Sequence, residues 1–395
     1  MFLILLSLFA GLNFSFAQDL DPYDFSGTSV NVGNADQDQA DYQQEELDIY
    51  QQSQPQGGQQ GSFKNTGFVF FPFYTKVDEE NSAYGLDTMY YFRRQKEPPL
   101  SKPSYLRGVI SAGSDSYASI DAAYNSYWKS EFNHFYSSVG FERRRANYYQ
   151  PLIENPLLLG EFISSQTVLE VMYRQRFSTL SYMGIKFEFQ NSELYSKNPA
   201  TSFNSRSNSV YGLDGGHVSG LGFVWSSLEP GGVFSSLRGF DFDTSNTFYL
   251  NYFGSNFNFG IHKVDIRENV FITGAQVLLL KFYGRFITGD PPYSSLSTVG
   301  EMFRAYSIDK YRDRHFMGMN AEYRILFISD ITIRGFFGLG YHSSSFSKFK
   351  LNNDLPCYGA GLSFVLNKEL GINAGLEYLA GKDSKGFLFG IGDNY

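Results

Sequence analysis

From Phe63 onward the chain alternates apolar and polar residues with a period of two, and the polar set carries charges. Between Tyr182 and Gln190, Met183, Ile185, Phe187 and Phe189 alternate with Tyr182, Gly184, Lys186, Glu188 and Gln190. From Phe316 to Phe327 the same device sets Met317, Met319, Ala321, Tyr323, Ile325 and Phe327 against Gly318, Asn320, Glu322, Arg324 and Leu326. A period of two sends successive side chains to opposite faces of a strand. A soluble sandwich also alternates, so the period by itself does not decide. The charges do. Lys, Glu and Arg buried without partners in a dry core are prohibitively costly, whereas a wet barrel interior accepts them. The pattern therefore predicts an all-β chain, an antiparallel transmembrane β-barrel with its apolar set toward lipid.

Strand-like segments fall near 67–76, 83–94, 104–113, 116–127, 132–142, 166–177, 179–190, 217–228, 234–253, 256–268, 270–284, 314–328, 330–342, 357–367, 369–380 and 386–394, which makes a 16-stranded barrel over residues 63–395. About 21 residues per strand and connection suit tilted spans of about 10 residues joined by alternately short and long loops. An even count places both termini in the periplasm and the chain in the cell outer membrane. Composition agrees: 40 Phe and 29 Tyr supply a lipid-facing band and its girdles. A mean hydropathy of -0.27 excludes a helical membrane protein.

The first seventeen residues, MFLILLSLFAGLNFSFA, form an apolar run too short for a helical span and read as a signal peptide cleaved after Ala17. Residues 18–62 hold nine of the 40 acidic residues and none of the 32 basic ones, which leaves the rest of the chain near a net charge of +1. So polar a segment cannot bury a core and is expected to be a disordered, Gln-rich periplasmic tail, with an ordered plug helix near 41–52 as the alternative.

The order of motifs near the C-terminus narrows the reading. Gly289-Asp290-Pro291-Pro292-Tyr293 is followed by Gly300-Glu301-Met302-Phe303-Arg304-Ala305-Tyr306 and then by Asn320-Ala321-Glu322-Tyr323-Arg324. These resemble the C-terminal barrel of the BamA/TamA outer-membrane assembly superfamily, and the opening Phe70-Phe71-Pro72-Phe73-Tyr74 with Ala83-Tyr84-Gly85-Leu86 resembles that family's first hairpin. The resemblance implies a long sixth loop folded back into the lumen, with Phe303, Arg304, Ala305 and Tyr306 as its tip motif. It also implies a role in inserting or translocating proteins or lipids. The apolar, aromatic-ended segment Phe387–Tyr395 looks like the C-terminal signal read by the barrel-assembly machinery, which would insert this chain.

Three departures from that family bear on function. The 45 residues between Ala17 and Phe63 are too few for even one POTRA domain, so any client or periplasmic partner is unidentified. Ala305 stands where the family has Gly, which would be costly at positive φ. The aromatic-x-Asp-x-Gly pattern reads Phe336-Phe337-Gly338-Leu339-Gly340, without its carboxylate. Motif order then makes Glu322 the expected lumen partner of Arg304. Pro72 cannot donate a ladder hydrogen bond, so the first strand is expected to pair poorly with the last, giving a seam marked by Pro72, Phe387, Phe389, Ile391 and Tyr395.

Other chemistry is not indicated. No Gly-x-Ser-x-Gly or His-Glu-x-x-His occurs, the five His stand apart, and the lone Cys357 excludes an internal disulfide, so no catalytic residue, metal or cofactor is expected. The run Glu142-Arg143-Arg144-Arg145 reads as a solvated loop base, a lipopolysaccharide-phosphate contact being the alternative; nucleic acid is not indicated. The partners expected are outer-membrane lipid and lipopolysaccharide. Two functions remain open, an assembly barrel and a diffusion pore or structural barrel.

Overall fold

The computed structural model describes residues 66–76, 82–93, 103–114, 117–152, 155–178, 181–195, 211–213, 215–227, 239–273, 275–328, 330–349, 354–367 and 372–391. The signal peptide, the acidic tail and Tyr395 lie outside them, and the Ile391 side chain is likewise not described.

Eighteen strands follow one another: β1 (Thr66–Lys76), β2 (Ser82–Phe92), β3 (Ser104–Gly113), β4 (Ala118–Trp128), β5 (Asn133–Tyr149), β6 (Leu158–Ser178), β7 (Ser181–Tyr195), β8 (Gly215–Ser227), β9 (Gly239–Tyr249), β10 (Phe259–Thr273), β11 (Gln276–Gly289), β12 (Ser297–Thr298), β13 (Arg312–Asp313), β14 (His315–Ile328), β15 (Ile331–Ser343), β16 (Leu355–Asn367), β17 (Ile372–Gly381) and β18 (Lys385–Ile391). Sixteen form one antiparallel sheet in strict chain order, while β12 and β13 pair only with each other. Each expected strand is present. Neighbours in sequence are neighbours in space, the simplest way to satisfy backbone donors and acceptors without crossovers. β1 and β18 are the two ends of the order; they come within 8 Å of each other between Cα atoms, with no ladder between them among the described residues.

The burial of alternate side chains is inverted relative to a soluble protein. On β7, Ile185 is 56% exposed while its neighbour Lys186 is 6% exposed. Phe68, Phe70, Ile110, Ile120, Phe223, Phe327 and Phe387 extend this exposed apolar face across the sheet. So large a patch on an isolated chain marks a surface made for an apolar environment. The opposite face carries Lys186, Glu188, Arg285, Glu322, Arg334 and Glu377, and against it lies the segment 290–314 between β11 and β14, hereafter loop six.

Several strands outrun the sequence expectation, β5 and β6 by the most. β5 continues seven residues beyond 142 and β6 begins eight residues before 166, because the hairpin stays paired from Arg143↔Ser165 up to Tyr149↔Leu158. The basic run is thus a strand, not a solvated loop base. Its alternation divides the arginines: Arg144 is 4% exposed on the loop-six face, while Arg143 and Arg145 lie on the other. The expected ninth strand ends early, since Gly254 (φ 85°) closes a 3-10 turn over Asn251–Phe253.

Candidate functional site

Loop six is built to double back. Tyr293–Ser295 and Val299–Glu301 form 3-10 turns, and the pairing of β12 with β13 brings Ser297 opposite Asp313, which pinches residues 299–311 into a compact tip. That tip is the interior of the molecule. Val299, Phe303, Ala305, Tyr306 and Tyr311 cluster with Phe316, Leu355, Cys357 and Leu379 of the wall, all buried.

Phe303 occupies a slot floored by glycine. A Cβ at Gly338 or at Gly340 would stand 2.6 Å from the Phe303 ring, so the missing side chains on β15 are what admit the aromatic. Gly338, which lacks the family's carboxylate, therefore has a packing role. Ala305 lies outside the left-handed region: the described non-glycine residues with positive φ are Lys129, Ser130, Glu131, Leu152 and Tyr311, so the expected cost at Ala305 does not arise.

The anchor of Arg304 is Glu377 on β17, which corrects the expectation of Glu322. Arg304 Nη1 stands 3.1 Å from Glu377 Oε2, and Arg334 Nη2 of β15 stands 2.5 Å from the other oxygen of the same carboxylate. Glu322 instead receives Arg324 Nε at 2.6 Å on its own strand. The reason is register. Arg334 pairs across β16 with Gly361, and Gly361 pairs with Glu377; glycine between them lets an acid and a base two strands apart meet over the backbone. Glu322 and Arg324, two residues apart on one face, need no such bridge.

A second anchor was not foreseen. Asp309, 2% exposed, takes Arg144 of β5 in a bidentate pair at 2.8 and 2.5 Å, and also receives Arg312 Nη2 at 3.3 Å and the Asn147 backbone N–H at 3.2 Å. Burial disfavours the Asp309 carboxylate, but the Arg144 and Arg312 guanidiniums outweigh it and hold it below the ordinary carboxylate range. An acid in loop six and a three-arginine run in a strand were the available signal. Elsewhere Glu301 meets Arg285 and accepts from Tyr283 Oη at 3.0 Å.

Loop six also grips the turn after β17. Tyr306 Oη donates to the Pro356 carbonyl at 2.6 Å and accepts from the Lys382 N–H at 2.9 Å; burial pushes its phenol up to about 12. Lys310 Nζ stands 2.9 Å from Asp383, to which the Tyr311 hydroxyl also donates, and Ser384 Oγ donates to the Ala305 carbonyl. These partners outweigh burial and hold Asp383 below the usual carboxylate range.

The remaining expected residues are less engaged. Pro72 faces outward opposite Leu86 of β2, and Phe387 and Phe389 are exposed on the outer face of β18. His262 lies on the outer face, hydrogen-bonded to Asn246, and His315 packs against Phe346. Among the described residues no group of His, Cys, Asp and Glu could hold a metal ion.

No protein-family model and no curated protein sequence matches the chain. Solved structures do. BamA from Haemophilus ducreyi lacking POTRA domains 1–3 superposes with a TM-score of 0.55 at 11% identity, over 82% of this chain and 69% of that one. CdiB from Acinetobacter baumannii gives a TM-score of 0.55 at 10% identity, over 84% of this chain and 60% of its own. CdiB from Escherichia coli gives 0.54 at 10% identity, over 83% and 62%. The chain thus spans less than two thirds of either CdiB. Ordered antiparallel strands, an outward apolar face and these superpositions together show that the chain shares the fold of BamA and of the two CdiB proteins.

Proposed function

We propose that this chain is an integral outer-membrane protein whose sixteen-stranded sheet closes between β1 and β18, and that it assists insertion or translocation of proteins or lipids through that seam. The observation that carries the reading is the contrast between the ladders. Each neighbouring pair from β1 to β18 is laddered, whereas β1 and β18 lie side by side with no ladder among the described residues. Pro72 in β1 supports a weak junction because it withholds a donor. A strand edge with free donors and acceptors can receive another strand, which is how a client hairpin would be taken up. In this reading residues 1–17 are removed on export, residues 18–62 are a solvated tail, both termini are periplasmic, and Phe387, Phe389, Ile391 and Tyr395 flank the opening. The chain's own insertion falls to the barrel-assembly machinery, with lipid and lipopolysaccharide around the wall.

A diffusion pore is the second reading. Arg107 and Asp243, on the wall face shared with loop six, keep 48% and 52% of their side chains exposed, so part of that face is wet. Locking the seam separates the two. With Cys357→Ser, paired cysteines between residues 66–70 and 385–389 should abolish insertion of an unfolded β-barrel client into vesicles while leaving solute flux unchanged. Full insertion by the oxidised, locked protein would rule the seam mechanism out.

A further inference from the structure

We propose that loop six is a strap tying the β5–β6 hairpin to the turn of the terminal β17–β18 hairpin, so that the end strand β18 is held in place from across the covered face as well as by its ladder with β17. The inference goes beyond the insertion reading and does not require it.

Three observations carry it. First, the two sets of contacts interleave along one short stretch. Ala305 and Tyr306 hold the Lys382–Ser384 turn, Asp309 turns to Arg144 and Asn147 of β5, Lys310 and Tyr311 return to Asp383, and the Arg312 carbonyl accepts from the Leu152 N–H at 2.9 Å. A segment whose successive residues pull on two hairpins transmits displacement of one to the other. Tyr293 adds to the β5–β6 side, its ring edge-on to Tyr148 and Phe162 at 5.5 and 6.1 Å between centroids.

Second, the backbone at the crossover is strained. Tyr311 has φ 55°, a conformation that a bulky L residue holds only where its surroundings over-determine it. Here the surroundings are Asp383 on one side and, through the neighbouring Arg312, Asp309 and the β5–β6 connection on the other. Releasing either side removes the reason for the strain.

Third, β18 is the strand with most to gain. It has seven residues, and its one ladder among the described residues runs to β17, from Ala374↔Ile391 to Ala380↔Lys385. Short end strands fray at the least-held terminus. The strap grips the turn at the β18 start. A Cβ at Gly381 would stand 2.8 Å from the Tyr306 ring, so the ring closes directly onto the turn's backbone.

Hydrogen–deuterium exchange of the full chain in lipid nanodiscs tests the strap, because exchange reads β18 whether or not the protein has insertion activity. Arg144→Gln, made eleven places from β18 in sheet order and outside the terminal hairpin, should raise exchange at Gly386–Phe389 on the order of tenfold together with loop six. Asp383→Asn should raise exchange reciprocally in the upper β5–β6 hairpin, Asn147–Leu152. Exchange at β18 equal to wild type in a folded Arg144→Gln protein with a loosened loop six would overturn the proposal. Should Arg144→Gln fail to fold, Tyr306→Phe, which keeps the ring and deletes the two hydroxyl hydrogen bonds, should speed exchange at both Gly386–Phe389 and Asn147–Leu152. A change confined to the Lys382–Ser384 turn would equally overturn it.

Discussion

Loop six is fastened to the wall at two places that differ in kind. At Arg304 the guanidinium remains 28% exposed and shares Glu377 with Arg334, so the carboxylate has a cation whether or not the loop is there. At Asp309 both partners are buried, and the acid takes a bidentate arginine, a second arginine and a backbone N–H. The first site carries the recognisable motif; the second carries the ion pair whose loss strands a buried charge. Motif residues thus position the loop largely through Phe303 and its glycine slot, while the buried ion pair lies at β5.

The largest effect should come from the Asp309 side. Arg144→Ala leaves a buried carboxylate with only the more distant Arg312 and the Asn147 N–H, a loss of about 3–5 kcal/mol locally. Proteolysis of loop six from the β12–β13 side should accelerate sharply; wild-type cleavage kinetics would show that the two anchors are equivalent after all. Next in size is the slot: Gly338→Ala forces the Phe303 ring to move, at about 1–3 kcal/mol for an overpacked site. Its expected signature is a lowered melting temperature with Arg304 and Glu377 intact. Smallest is Arg304→Ala, about 1 kcal/mol, since solvent screens a partly exposed cation and Arg334 still neutralises Glu377. A loss as large as that of Arg144→Ala would reverse the ranking.

Acid provides a separate handle on the same contrast. Asp309 and Asp383 are both held below the ordinary carboxylate range, so their stabilisation is complete above the unfolded value of about 4 and is lost only as pH falls below it through the folded values. Loop-six proteolysis should therefore be flat from pH 7 to about 5 and rise below about pH 4. A rise already at pH 6 would show that these two carboxylates do not govern the loop.

How much of this was legible in the sequence depends on the range of the interaction. The sixteen wall strands are local and period-two, so each overlaps the segment the alternation marks, although several ends fall elsewhere. The upper β5–β6 hairpin was missed because Arg144, Ala146 and Tyr148 face loop six and so break the polar–apolar rhythm that lipid imposes lower down. Motif order points Arg304 to Glu322, whereas pairing depends on sheet register, which sets Arg304 beside Glu377. Following Arg334 through Gly361 leads to Glu377, but only once the β15–β16 and β16–β17 registers are known. Asp309 lies outside the motifs that carry the resemblance, and nothing local to it names β5.

In the proposed barrel, loop six fills the inner face while the outer face meets lipid. Single-channel recording of the purified full chain in planar bilayers tests it most directly. Wild type should give small, flickering conductance, rising to larger and steadier openings in Arg144→Ala. Large, stable conductance in the wild type, unchanged by that substitution, would contradict it.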